Sequence, residues 1–311
     1  RAVLDRDPSI AQMRGKMTLK NCFNAHDTCA TLSNSHVLVA LKRRNGPKNM
    51  QQTAGAIAIL FYLASIVLQV TGMRRDKRRS IMLGCGFIAA TAHATSAFAL
   101  LHAPGGWHFG LVEISTLISA VISLLVLFSS LRKPLDNLFL ALFPLAIVSI
   151  VMSMNISSQF PPTQLDSGSA SHVLLSILAY SVITIAALQA LLLAYQNNRL
   201  KHHHPGGLLS KLPPLQDMEA LLFELLWAGQ LLLSTAIVAG FLFFDNIWGI
   251  NGVIHKTFFS LLAWTVFAAL LWGRSSLGWR GVTAIRFTLS GFALLILGFY
   301  GSKFALEYLI R

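Results

Sequence analysis

The sequence predicts an all-α fold, a polytopic membrane helix bundle with eight transmembrane helices. Three observations carry this. Hydrophobic residues make up 54% of the 311 positions and charged residues only 12%, more apolar surface than a soluble domain hides from water. From Thr53 onward there are eight apolar segments, each near the roughly 20 residues that cross a bilayer core. The basic residues of the connecting loops partition strictly. Arg74, Arg75, Lys77, Arg78, Arg79, Arg132, Lys133, Arg199, Lys201, Lys211, Arg274 and Arg280 fall in four loops, and the alternate loops 103–110, 156–170 and 245–252 hold no Lys or Arg. The positive-inside rule makes the charged loops cytoplasmic and the bare loops external.

In chain order the expected spans are 53–73, 81–102, 111–131, 138–155, 171–195, 219–244, 253–273 and 284–305. The first starts just after Met50-Gln51-Gln52. The second is rich in small residues (Gly84, Gly86, Ala89, Ala90, Ala92, Ala94, Ala97), which permit close helix approach and predict a central place in the bundle. The third opens on Glu113. Pro144 lies inside the fourth and is expected to kink it. The fifth follows an outer loop with Pro161, Pro162 and Gly168, and leads to the longest inner loop, 196–217, with His202, His203, His204, Pro213 and Pro214. The sixth carries Glu224, Trp227, Gln230 and Ser234. The seventh opens on His255 and Lys256. An even number of spans places both termini on one side, here outside.

Residues 1–49 read differently. They are polar, lack a signal-peptide apolar core, and hold nine Lys or Arg on the side where basic flanks are disfavoured. We expect a translated upstream extension or a poorly ordered tail there, followed by a membrane domain over 50–311. The net charge of +13 does not require nucleic acid, because orientation anchors and this N-terminal segment account for most of it. The cysteines Cys22, Cys29 and Cys85 form no CxxC, which excludes a thiol-redox motif and zinc-ligand spacing. There is no P-loop, dinucleotide fingerprint, HExxH, paired-carboxylate or Ser–His–Asp pattern, so the chain is not expected to be an enzyme.

Polar groups at membrane depth usually face the bundle interior or a cavity. His172, Ser176, Tyr180 and Thr184 recur every four residues and stack along one side of the fifth helix. They predict one wall of a polar or cofactor-lined cavity, or ordinary hydrogen bonding between helices. His255 stands at the same outer surface as His172. His93 sits near the middle of the second span, as a ligand or as a satisfied buried histidine. His102 and His108 flank the first outer loop beside Trp107 and Phe109. The His202–His204 run is expected to be a solvated inner loop.

The last third adds a resemblance. It runs Asp245-Asn246-Ile247-Trp248-Gly249, His255-Lys256-Thr257, Ala263-Trp264, Leu270-Leu271-Trp272-Gly273-Arg274, Gly278-Trp279-Arg280-Gly281 and Gly301-Ser302-Lys303-Phe304. With Ser171-His172-Val173, Ala179-Tyr180-Ser181 and Ala92-His93-Ala94, this order resembles the cytochrome c assembly family of polytopic membrane proteins. That is the CcsA/ResC and HemX-like group, and in particular its small eight-span YpjD-like branch of bacterial inner membranes. The resemblance covers about 50–311. It implies haem handling at the outer surface, with His172 matching the first outer histidine and His255 a counterpart of a flanking one. His93 and Trp248 are carried over as further cofactor-binding candidates, and His172 and His255 as axial ligands of haem iron. The family's Trp-rich W-G-x-x-W-x-W-D loop survives here only as Trp248-Gly249.

Two readings from different classes follow. One is a non-catalytic haem-binding protein acting in cytochrome c assembly or haem trafficking. Its partners would be haem or a related porphyrin, membrane lipids and a cytochrome maturation or other inner-membrane protein. The alternative is an accessory or regulatory subunit of another membrane protein, without cofactor. A small-solute transporter is disfavoured by the scarcity of intramembrane charge.

Overall fold

The computed structural model describes residues 49–71, 76–103, 105–132, 135–156, 162–201, 213–243 and 253–304. The expected N-terminal extension, the His202–His204 run and Trp248 lie outside the described residues. Among the described residues, eight helices are long and apolar enough to cross a membrane: α1 Asn49–Val70, α2 Asp76–Leu101, α3 Leu111–Ser130, α4 Asp136–Asn155, α5 Ser167–Lys201, α6 Leu215–Phe243, α7 Val253–Ser276 and α8 Val282–Phe304. The protein is a polytopic membrane helix bundle. A two-residue hairpin, β1 His102–Ala103 and β2 Gly106–Trp107, joins α2 to α3. Gly105 and Gly106 turn it at φ 106° and 149°, values that L side chains rarely adopt.

Two packed clusters build the interior. One gathers α1 to α4 around Tyr62, Leu127, Phe139 and Phe143. The other gathers α5 to α8 around Ile183, Leu222, Phe267 and Leu270. α5 belongs to both, offering Ile177 and Ile185 to the first and Ala179, Ala186 and Ala190 to the second. Its 35 residues extend about 50 Å at 1.5 Å per residue, well beyond a bilayer core of about 30 Å. Its broadest interface is with α6. There Gly229 lies so close to Ile183 that a Cβ would stand 2.7 Å from its Cγ1, the close approach that small residues permit between helices.

Polar side chains tie the helix ends together. At the end bearing the basic loops, Arg79 grips Asp136 at 2.8 Å and donates to the Ser130 carbonyl, joining α2, α3 and α4. At the same end Glu219 of α6 accepts from Arg274 at 3.0 Å and from the Gly281 N–H at 3.3 Å. At the far end Trp107 and Thr163 exchange two backbone hydrogen bonds of 2.9 Å, and Lys303 donates to the Phe109 carbonyl. Pro144 lies inside α4, whose helix runs unbroken to Asn155.

Candidate functional site

The far end of α5 is the best-built polar setting. Asp166 precedes the helix, and its Oδ2 accepts from the Gly168 and Ser169 N–H groups at 3.1 and 3.3 Å. This satisfies donors that a helix start otherwise leaves open. The Ser169 side chain, then these backbone donors, hold the Asp166 carboxyl below the usual carboxylate range. One turn further, half-buried His172 turns to α6. Its Nδ1 donates to the Ala236 carbonyl at 2.8 Å, and its Nε2 faces the Ser176 hydroxyl at 3.4 Å. Gly240 makes the seat: a Cβ there would stand 3.1 Å from His172 Cε1. An Nδ1–H bonded to a carbonyl fixes the tautomer and leaves the lone pair on Nε2.

The four-residue stripe divides in three dimensions. Four residues advance a helix by about 40° beyond one full turn, so His172 and Thr184 differ by about 120° around α5. His172 therefore meets α6, whereas Tyr180 and Thr184 face a cavity walled by α3, α4 and α8. Tyr180 donates to the Leu295 carbonyl at 3.3 Å and packs its ring on Phe299 at 5.4 Å. That carbonyl lies two residues before the stretch where α8 widens into a π turn, Leu297–Gly301. Such a turn shifts the backbone ladder from i+4 to i+5 partners and often marks functional positions.

The other candidate histidines stand in different settings. His255 is exposed in the first turn of α7. His93 is fully buried in the α1–α4 half, with Nδ1 3.3 Å from the Tyr62 hydroxyl. Its Nε2 has no hydrogen-bond partner among the described residues. His102 is exposed and stacks on Phe98 at 5.8 Å, with Trp107 edge-on to it. Among the described residues no three His, Cys, Asp or Glu side chains form a metal-holding group.

Sequence reasoning overlooked Gly240, Tyr62, Ser115 and Tyr300. Tyr62 and Gly240 carry no local pattern, since each matters only through a partner on another helix. Tyr300 lies next to the Gly301-Ser302-Lys303-Phe304 segment and was legible as an intramembrane hydroxyl. Of the singled-out α6 residues, Gln230 donates to the Trp264 carbonyl and Ser234 accepts from the Trp264 indole at 2.8 Å. Both knit α6 to α7.

Comparison with known proteins gives a consistent answer. The chain is 27% identical over 253 residues to the inner membrane protein YpjD of Escherichia coli strain K12, covering 79% of this chain and 95% of that protein. It is 26% identical over 249 residues to the "Uncharacterized 28.8 kDa protein in nifR3-like 5'region" of Azospirillum brasilense, covering 78% and 91%. A more distant match, 22% over 171 residues, is to the cytochrome c biogenesis protein CcsA of Prochlorococcus marinus strain MIT 9515, covering 49% of this chain and 55% of that one. No solved structure matches. The model of the cytochrome C assembly protein family matches residues 28–310, and the chain therefore belongs to that family.

Proposed function

We propose that this is a non-catalytic haem-binding protein of the inner membrane, acting in cytochrome c assembly or haem trafficking with its far end outside. Family membership supports haem as the cargo. The observation that carries the reading is the setting of His172. Its Nδ1–H is committed to the Ala236 carbonyl, which orients the ring and raises the basicity of Nε2, the arrangement that metal-binding histidines share. Haem, when bound, supplies an iron that takes axial imidazole.

The residues here fit such a group unevenly. His172 has a defined tautomer on a rigid helix. His255 is exposed on α7 and would reach a ligand only at the surface. Trp248, outside the described residues, is the family's Trp-rich segment carried over by resemblance and would supply an aromatic contact. His93 retains an unsatisfied Nε2, but it and Tyr62 are both fully buried. A macrocycle there would have to displace the packing, so His93 is the reserve ligand.

The test is optical. Protein purified in detergent, or supplied with haem, should show a Soret band. His172→Ala should lose or shift it while membrane insertion persists, and His255→Ala should do so if that side chain completes the coordination. His202→Ala should change nothing, because the inner loop lies across the membrane. Protein that carries no haem and binds none when supplied would leave the accessory-subunit reading in its place.

A further inference from the structure

The cavity beside Tyr180 lies apart from every candidate histidine. It measures about 440 Å³ and is walled by α3, α4, α5 and α8, within the size range of small-molecule sites. α3 and α5 pack together at its back. α4 and α8 form its two lips, where Leu145, Val148, Met152 and Ile296 are 53%, 54%, 42% and 38% exposed. In this bundle that exposure faces hydrocarbon, so the cleft opens sideways into lipid. Among the described residues no charged or histidine side chain lines it. Its polarity comes from hydroxyls, and they are spread over its depth: Ser115 and Ser119 on α3, Ser149 on α4, Tyr180 and Thr184 on α5, Tyr300 on α8.

At one level the hydroxyls come from opposite walls. The bond of Lys303 to the Phe109 carbonyl sets α8 and α3 in register at the far end. Eight residues down α8 from Lys303 is Leu295, whose carbonyl accepts from Tyr180. Eight residues down α3 from Leu111 is Ser119. Both therefore lie about 12 Å below that end. On the α3–α4 side, Ser149 donates to Ser119 Oγ at 3.0 Å and to the Ala146 carbonyl at 2.9 Å. One proton makes the bond within the pair. The other has only the Ala146 carbonyl to meet, and that carbonyl keeps its helix N–H if the proton turns to a ligand. On the α5–α8 side, the Tyr180 hydroxyl is 3.3 Å from the Leu295 carbonyl, with Ser260 beside it. That is long for an O–H donor, so a better-placed oxygen can take the proton. Phe292 and Tyr300 add aromatic faces to the lining.

We propose that this cleft binds an isoprenoid quinone. One ring oxygen accepts from the Ser119–Ser149 pair, the opposite one accepts from Tyr180, and the tail leaves between α4 and α8 into the bilayer. The uncharged lining selects a neutral head. Donors on facing walls select a ring with acceptors on opposite edges over a lipid polar only at one end. The lateral opening admits a ligand that partitions into lipid. The proposal stands independently of the haem reading.

Native mass spectrometry of the full chain in detergent tests it, with a farnesyl-tailed ubiquinone, farnesol and dioleoyl phosphatidylglycerol titrated separately. The wild type should retain one quinone and release farnesol, which has the same tail and a single hydroxyl. Tyr180→Phe, and Ser119→Ala combined with Ser149→Ala, should each weaken quinone retention about tenfold, the equivalent of about 1.4 kcal/mol. Circular dichroism checks that both variants are folded. Thr235→Ala removes an exposed, back-bonded hydroxyl of α6 outside the cleft and should leave retention unchanged. Undiminished quinone retention in either folded variant would overturn the proposal, as would a wild type that binds no quinone. Equal retention of farnesol or of phosphatidylglycerol would also overturn it, showing a groove that any lipid tail fills.

Discussion

His172 Nδ1 lies 2.8 Å from the Ala236 carbonyl, four residues before Gly240, whose missing side chain leaves room for the ring. Gly240→Leu should therefore push the imidazole off α6 without deleting it. If His172 binds haem iron, this variant should lose or shift the Soret absorbance as His172→Ala does, at retained helicity. Unchanged absorbance would show that the α6 contact does not position the ligand.

Gly86 and Gly84 make a matched pair on α2. A Cβ at Gly86 would stand 2.8 Å from Leu127 Cδ2, whereas one at Gly84 meets nothing within 4 Å. Gly86→Leu should lower thermal stability in detergent by about 1–3 kcal/mol, the usual cost of overpacking a core. Gly84→Leu should be neutral or slightly stabilising, because leucine also favours helix. Equal effects at both positions would contradict the packing described for α2.

Glu219 joins three elements at the basic end. It accepts from Arg274 and from the Gly281 N–H, and Arg280 approaches at 3.7 Å. Its side chain is only 12% exposed. Glu219→Ala should destabilise the protein by about 1–3 kcal/mol, since it strands a partly buried cation and a backbone donor. Glu219→Gln keeps an acceptor for Gly281 and should cost less. Melting curves of the two variants, read side by side, check the ordering.

Asp166 gives a pH dependence with a definite sign. The Ser169 hydroxyl and the N–H groups of the first turn depress its folded-state pKa below the ordinary carboxylate value of 3.8. Its contribution is thus fully present above the unfolded pKa and is lost as pH falls through the folded one. Asp166→Asn keeps a capping oxygen but removes the titration. The stability difference between wild type and Asp166→Asn should shrink as pH falls from 5 to below 3.8. A difference that stays constant over that range would remove Asp166 from the pH response.

Sidedness is testable at two exposed serines, Ser167 at the far end of α5 and Ser276 at the basic end of α7. In a background without Cys22, Cys29 and Cys85, an impermeant thiol reagent added outside should label Ser167→Cys and spare Ser276→Cys. The opposite pattern would invert the topology.

The spans were legible because a bilayer of fixed thickness demands apolar runs of fixed length. All eight helices contain or closely match the expected segments. The main departure is α5, expected over 171–195 and found at Ser167–Lys201. Its start is set by a local contact, the Asp166 cap, which hydropathy does not register. His172 was legible as polar, outer and part of a periodic stripe. That it faces α6 while Tyr180 faces a cavity was not, because spacing gives angles within one helix and not the rotation of that helix against its neighbours.

In water, hydropathy separates core from surface. In a membrane both the lipid-facing and the packed sides are apolar, so the sequence alone determined how many helices are long and apolar enough to cross, roughly where each lies in the chain and which residues share a level. Only the tertiary structure decided that Gly86 packs while Gly84 is open, that His93 meets Tyr62, and that Ser115, Tyr180 and Tyr300 surround one cavity. Those facts depend on helix rotation and neighbour choice, which shape complementarity between side chains settles after the segments have already been driven into lipid.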